Sequence, residues 1–328
     1  MKISIYFCVL ALLITLILLI INCFNKDKFY NIIDTNYKTY YFNNRGFAQL
    51  CNKKLDIIGS DSNKHFDTKY FSNLKDFDKV FLTINMFKNF INKININKKI
   101  IIILACSVTG FPNEFSNKDN KNYIKLIENN NNIISLYTQN YDLKQEHFKI
   151  KPFPLGIDYH SNSNKLSPIE QEQKLILIYK NSIPFEKRLD LCYSFFQFQM
   201  FNRHNKDRYV AKYALDKVNF NVYQDQKMSR EETWENMVKY KWIISPHGNG
   251  LDCHRTYEAI ALGCIPIVKS STLDIIYKDM PIIILDHWNK ISLELLKSKT
   301  EEALKKSQET ITLDYWIKKV NFKNNSIL

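Results

Sequence analysis

The stretch from Ser245 to Ser271, SPHGNGLDCHRTYEAIALGCIPIVKSS, constrains the fold of this chain more than any other. An apolar run, Trp242-Ile243-Ile244, leads into it and reads as a short buried strand. The turn Pro246-His247-Gly248-Asn249-Gly250 follows and carries two of the chain's seven glycines. Asp252 is placed to cap a helix over Cys253–Leu262, with Thr256, Ala259, Ile260 and Gly263 toward one face. Gly263 suits the position just past the helix end, where a positive φ is cheap. Ile265-Pro266-Ile267-Val268 reads as a second buried strand. A strand–glycine loop–helix–strand unit of this kind belongs in a parallel α/β sheet.

Such a turn aims backbone N–H groups and the positive end of a helix at whatever lies above it. The natural guest is a phosphate or pyrophosphate. Ser245, His247, Gly248, Asn249 and Gly250 are therefore candidate nucleotide-binding positions. Arg255 on the first helical turn can add a charge-assisted, bidentate contact. Glu258, one turn on, can accept hydrogen bonds from ribose hydroxyls. The same residues also fit a plain βα turn closed by an Arg255–Glu258 ion pair at i,i+3. Gly248-Asn249-Gly250 is not a dinucleotide fingerprint, because Cys253 stands where the third glycine belongs. No Walker A sequence and no Gly-x-Ser-x-Gly elbow occurs, which removes support for a kinase, a dehydrogenase or an α/β-hydrolase.

Upstream, apolar runs at Leu55–Ile58, Val80–Ile84, Ile100–Leu104 and Ile133–Tyr137 read as strands. Phe87–Ile94 and Tyr123–Glu128 read as helices between them. Asp76-Phe77-Asp78 matches the metal-binding Asp-x-Asp pattern but precedes its strand instead of following one, so an exposed turn explains it as well. Pro152–Ser163 reads as an interdomain passage. Beyond it Leu175–Tyr179 and Leu189–Phe196 are expected strands, with Lys187 and Arg188 placed to reach phosphates across a cleft or to lie as solvated charge. Ser229 and Glu232 make a capping box for a helix to about Tyr240 that buries Trp234, Met237 and Val238. Ile282–Leu285 and helices near Ser292–Lys306 and Leu313–Val320 complete a second unit. No 20–50-residue repeat appears.

The chain has 328 residues, enough for two domains. Its net charge of +13 is spread through Asn/Ile/Lys-rich text without a dense basic block or a nucleic-acid-binding module, so a nucleic-acid partner is not expected. Anionic nucleotide sugars or an acidic membrane surface account for that charge equally well. Seven cysteines without a CxxC pair do not describe a zinc site or a disulfide framework. Ile3 to Ile21 is a nearly unbroken apolar run of about 19 residues, long enough to span a bilayer. The following Ile21-Asn22-Cys23-Phe24 is a poor cleavage site, which favours an uncleaved anchor over a signal peptide. The expected organisation is an anchor at 1–23, a stem at 24–45, an acceptor-side α/β domain at 46–160 and a nucleotide-side α/β domain at 161–328.

SPHGNGLDCHRTYEAIALGCIPIVKSS, with Leu273-Asp274 and Pro281–Ile284 after it, resembles the C-terminal signature of exostosin-like glycosyltransferases. Gln139-Asn140-Tyr141-Asp142 and Pro154-Leu155-Gly156-Ile157-Asp158-Tyr159-His160 resemble the same family more weakly. Residues before about Thr138 carry no resemblance. This chain has Tyr257 where the family usually has Trp, and the family often differs at His247. The resemblance implies a GT-B fold, two Rossmann-like domains facing a cleft. It implies an inverting transfer from a nucleotide diphosphate sugar to a glycan or glycoprotein hydroxyl, with no metal or other cofactor. Such a transfer needs one general base, for which Asp158 and His160 are the candidates. It also implies a type II membrane protein with its catalytic part in the ER or Golgi lumen. A relative that kept the fold but lost turnover, and a basic nucleic-acid-binding protein, are the alternatives.

Overall fold

The computed structural model describes residues 39–55, 66–159, 166–198 and 204–321. Two five-stranded parallel sheets carry the fold. In the first, β1 (Lys53–Leu55), β2 (Lys79–Thr83), β3 (Ile100–Ala105), β4 (Ile133–Thr138) and β5 (Ile150–Pro152) lie side by side in chain order. In the second, β6 (Leu189–Ser194), β7 (Asn221–Tyr223), β8 (Tyr240–Ile244), β9 (Ile265–Lys269) and β10 (Ile283–Leu285) run in the order 10-9-8-6-7. All six residues of β3 are buried, as a parallel strand covered on both faces requires.

The helices fill the connections. α1 (Asn44–Gln49) precedes β1, α2 (Ile84–Lys93) follows β2, and α3 (Asn113–Asp119) and α4 (Tyr123–Glu128) join β3 to β4. α5 (Pro168–Asn181) leads into the second sheet, where α6 (Asp207–Leu215), α7 (Arg230–Met237) and α8 (His254–Ala261) join successive strands. α9 (Asp274–Tyr277), α10 (Leu293–Leu304) and α11 (Leu313–Asn321) close the chain. The Ser229–Glu232 capping box forms as expected, and Trp234, Met237 and Val238 are buried. Gly263 sits at φ +70, the left-handed position that ends α8.

Four expectations need correction. Leu175–Tyr179 is not a strand but the middle of α5, with Leu175 and Ile176 buried and Leu177 56% exposed. A short apolar run cannot separate helix from strand. The deciding signal lies just before it, in Ser167, Pro168 and Glu170, a capping box with proline in the first turn. Asp252 does not cap α8: Cys253 holds the N-cap position, without a side-chain bond, and Asp252 is buried. The expected stem reaches too far, because Tyr41 and Phe42 are core residues. α11 does not complete the second unit. Trp316 packs edge-on against Phe153 at 5.5 Å and lies 6.1 Å from Phe42, and the Tyr137 hydroxyl reaches Lys319 O, so the last helix covers the first sheet.

Asp76-Phe77-Asp78 is a turn at the amino edge of the first sheet, where Asp76 and Asp78 accept the Lys99 and Lys75 amides. Among the described residues no helix is long and apolar enough to cross a membrane. The run at 3–21 lies outside them.

Candidate functional site

A cavity of about 660 Å³ opens where the carboxyl edges of the two sheets face each other. Cys106, Ser107 and Asn140, just beyond β3 and β4, line it from the first sheet. Phe195 and Gln197 beyond β6, the 248–250 turn beyond β8, and the first turns of α7 and α8 line it from the second. Loops at the carboxyl ends of parallel strands are where sheets of this type bind ligands.

β8 lies between β9 and β6 and delivers the glycine turn. Ser245 extends the ladder through its amide to Ile267 O at 2.9 Å, and its hydroxyl meets Thr256 Oγ1 at 2.9 Å. Ser245 is therefore a buried support beneath the turn. His247 is buried too: its amide donates to Asp207 Oδ2 at 3.0 Å and its Nδ1 meets Leu251 O at 2.7 Å. It does not line the cavity. The Gly248 amide donates to Gly250 O at 3.0 Å, and the Asp252 amide donates to Asn140 Oδ1 at 2.9 Å. Several loop amides expected to face a phosphate thus hold the turn together instead. Gly248, Asn249 and Gly250 all line the cavity. At Gly250 a side chain would collide with the Asn140 amide, 2.6 Å from the position of its Cβ.

The charged wall is built by α8 and its neighbours. Arg255 and Glu258 lie one turn apart on α8, deep in the protein yet open to the cavity. The Arg255 guanidinium lies 5.8 Å above the Phe196 ring, and its buried Nη1 has no hydrogen-bond partner. Burial pulls the Arg255 pKa below its ordinary value, with the neighbouring Arg208 adding to the effect and Cys253 and Glu258 opposing it. Burial likewise raises the Glu258 carboxyl; Arg230 opposes the shift, Asp158 adds to it, and Arg255 and Trp234 oppose it. The expected pairing of Arg255 with Glu258 is not a direct ion pair among the described contacts.

Sequence reasoning missed three further cations on this wall, Arg208, Lys227 and Arg230. Arg208 donates to His247 O at 3.1 Å and Gln197 O at 2.7 Å, bracing the turn from the start of α6. Their spacing along the chain gives no sign of convergence, because α6 and α7 bring them in from separate crossovers. His254 also lines the cavity, and its Nδ1 meets Gly156 O at 2.7 Å.

The remaining candidates are placed elsewhere or already engaged. Lys187 and Arg188 precede β6 and so lie at the amino edge of the second sheet, opposite the cavity. Arg188 is buried and its guanidinium donates to Leu262 O and Gly263 O, both at 3.0 Å, capping the carboxyl end of α8. It is a structural residue and does not reach across a cleft. Asp158 is paired with Arg230 Nη2 at 2.9 Å, and Arg230 also reaches Gln171 at 2.7 Å. His160 lies outside the described residues. Among the described residues no cluster of three or more His, Cys, Asp or Glu side chains could hold a metal ion.

No protein-family model matches this chain. No curated protein matches it either. Among solved structures it is similar to the N-terminal domain of trehalose-6-phosphate phosphatase from Candida albicans, at 11% identity and a TM-score of 0.40, over 81% of this chain and 76% of that one. It is also similar to a structure described as trehalose-6-phosphate from E. coli bound with UDP-2-fluoro glucose, at 12% identity and a TM-score of 0.39, over 90% of this chain and 84% of that one. Neither likeness is close enough to bear on function.

Proposed function

We propose that this protein is an exostosin-like glycosyltransferase of the GT-B type, transferring a sugar from a nucleotide diphosphate donor to a hydroxyl of a glycan or glycoprotein. The observation that carries the reading is Arg255, a cation beside the N-terminus of α8 whose Nη1 is buried without a partner at the wall of the cavity. A buried unpaired charge is costly in the empty protein, and an anionic ligand removes that cost. The diphosphate would lie against Arg255 and the first turn of α8, whose amides no side chain caps. Arg208 and Lys227 add positive charge as the leaving group gains negative charge, within a site shielded by both sheets. Glu258 would accept the ribose hydroxyls. The reading calls for no cofactor, and residues 3–21 would anchor the enzyme in a bilayer.

The test is thermal stabilisation of the full-length chain in detergent by UDP-, GDP- and dTDP-sugars, with donor hydrolysis followed in parallel. A ligand at a hundred times its Kd adds about 2.7 kcal/mol of stability. Stabilisation by one nucleotide class, lost in Arg255→Ala, is the expected result. A folded chain that responds to none of these donors would overturn the reading.

A further inference from the structure

We propose that Trp234 selects the donor nucleotide by its sugar, holding a ribose hydroxyl between its indole N–H and Glu258, an inference that rests on the glycosyl-transfer reading above. The chain has four tryptophans, and all four are buried. Three have their indole N–H bonded: Trp242 to Thr300 Oγ1 at 3.0 Å, Trp288 to Asp207 Oδ1 at 2.8 Å and Trp316 to Thr310 O at 2.8 Å. Trp234, 2% exposed, is the fourth, and its Nε1 has no hydrogen-bond partner. Among the described residues it is also the one tryptophan that lines the cavity. A buried indole N–H is ordinarily paired, so the exception at the cavity wall marks a place for an acceptor.

Trp234 and Glu258 are each the fifth residue of their helices, α7 and α8, and both face the cavity. The indole N–H lies near enough to the Glu258 carboxyl to oppose the rise of its pKa, without completing a hydrogen bond to it. The Arg230 guanidinium, paired with Asp158, packs over the Trp234 ring at 5.8 Å and helps to fix its orientation.

The chemistry of this pair defines its guest. An indole N–H only donates, and a carboxyl group keeps an accepting oxygen whether or not it carries a proton. A group held between them must accept one hydrogen bond and donate another. A hydroxyl does both; an ether or keto oxygen only accepts. With the diphosphate on Arg255, three residues nearer the start of α8, the hydroxyl within reach is one on the ribose. A nucleotide that lacks that hydroxyl leaves the indole N–H buried and unpaired, so the site should discriminate against it.

The experiment measures the affinity of the full-length chain in detergent for UDP and GDP and for their 2′-deoxy and 3′-deoxy counterparts. Wild type is compared with Trp234→Phe, which keeps an aromatic ring and removes the N–H. Wild type should bind the ribonucleotide about 10–100-fold more tightly than the counterpart lacking the clamped hydroxyl. In Trp234→Phe that ratio should shrink about tenfold through weaker binding of the ribonucleotide, with the deoxynucleotide held within about twofold of its wild-type affinity. Equal binding of the ribonucleotide and both deoxy counterparts by wild type would overturn the inference, a comparison that stands even if Trp234→Phe does not fold. An unchanged ratio in the folded variant would also overturn it, by making Trp234 a packing residue only. A wild type stabilised by a dTDP-sugar and by no ribonucleotide would overturn it too, with the glycosyltransferase reading left standing. A wild type that binds no nucleotide of either kind would instead overturn the glycosyltransferase reading, and the inference with it.

Discussion

The amide of Asp252 donates to Asn140 Oδ1 across the cleft at 2.9 Å. The first residue stands beside the glycine turn of the second sheet, the second just beyond β4 of the first, and both line the cavity. Two further bonds cross the same cleft, from the Leu155 amide to Asp252 Oδ2 at 2.9 Å and between His254 and Gly156. The site is therefore also the joint between the two sheets, and its geometry depends on how that joint is made.

Asp252→Ala should be strongly destabilising. It strands the hydroxyls of Tyr257 and Tyr277, each 2.6 Å from the carboxylate, along with the Leu155 and Cys253 amides. Leaving buried partners unsatisfied costs about 3 kcal/mol or more. Asn140→Ala removes one neutral bond pair and should cost about 1–2 kcal/mol. Urea midpoints of the two variants test this order; equal losses would contradict it.

Arg188 and Arg255 should separate in opposite directions. Arg188→Ala removes the cap on Leu262 O and Gly263 O and should cost about 2–4 kcal/mol with donor affinity unchanged. Arg255→Leu removes a buried unpaired cation, so the ligand-free protein should hold or gain about 1 kcal/mol while donor binding is lost. Thermal unfolding with and without nucleotide measures both. A stability loss in Arg255→Leu as large as that in Arg188→Ala would count against its place as a ligand group.

Gly250→Ala should damage the joint without touching any charge. The added methyl falls 2.6 Å from Asn140 Oδ1, the atom that accepts the Asp252 amide. A loss of about 1–3 kcal/mol is expected from such overpacking, with donor affinity falling as the turn shifts. Wild-type stability in this variant would mean that Asn140 has room to move aside.

Glu172 on α5 should make stability fall as pH rises. Its carboxylate accepts the Tyr40 and Tyr41 amides, both at 2.9 Å, and burial lifts its pKa from 4.5 to about 7 against the pull of those bonds. Between these values the folded chain keeps a proton that the unfolded chain has released. Its contribution is therefore fully present below pH 4.5 and is lost as pH rises to about 7, by on the order of 3 kcal/mol. Urea unfolding between pH 4 and 8 should show that decline, and Glu172→Gln should flatten it. Parallel curves for the two proteins would refute the assignment.

How much of this was legible beforehand follows from the range of the interactions. The unit from β8 to β9 is local: Trp242–Ile244, the glycine turn, the helix ended by Gly263 and Ile265–Val268 are neighbours in the chain, so residue order alone sets their form. The capping box at Ser229 and the buried run of β3 are local in the same sense. Short apolar stretches without a resolved period, such as Leu175–Tyr179, mislead unless their caps are read with them.

The tertiary structure decided what touches what. Arg208, Lys227 and Arg230 reach one wall with Arg255 only because α6, α7 and α8 begin at the same edge of the second sheet. Arg188, seemingly placed for phosphate, is turned to the opposite end of α8 by the carbonyls that it caps. His254 lines the cavity and His247 does not, because Gly156, nearly a hundred residues upstream, accepts a hydrogen bond from one ring while the turn itself encloses the other. Periodicity and turn chemistry record the conformation of a segment. They carry no information about which distant carbonyl or carboxylate will lie against it, and that choice is made by the packing of the two sheets.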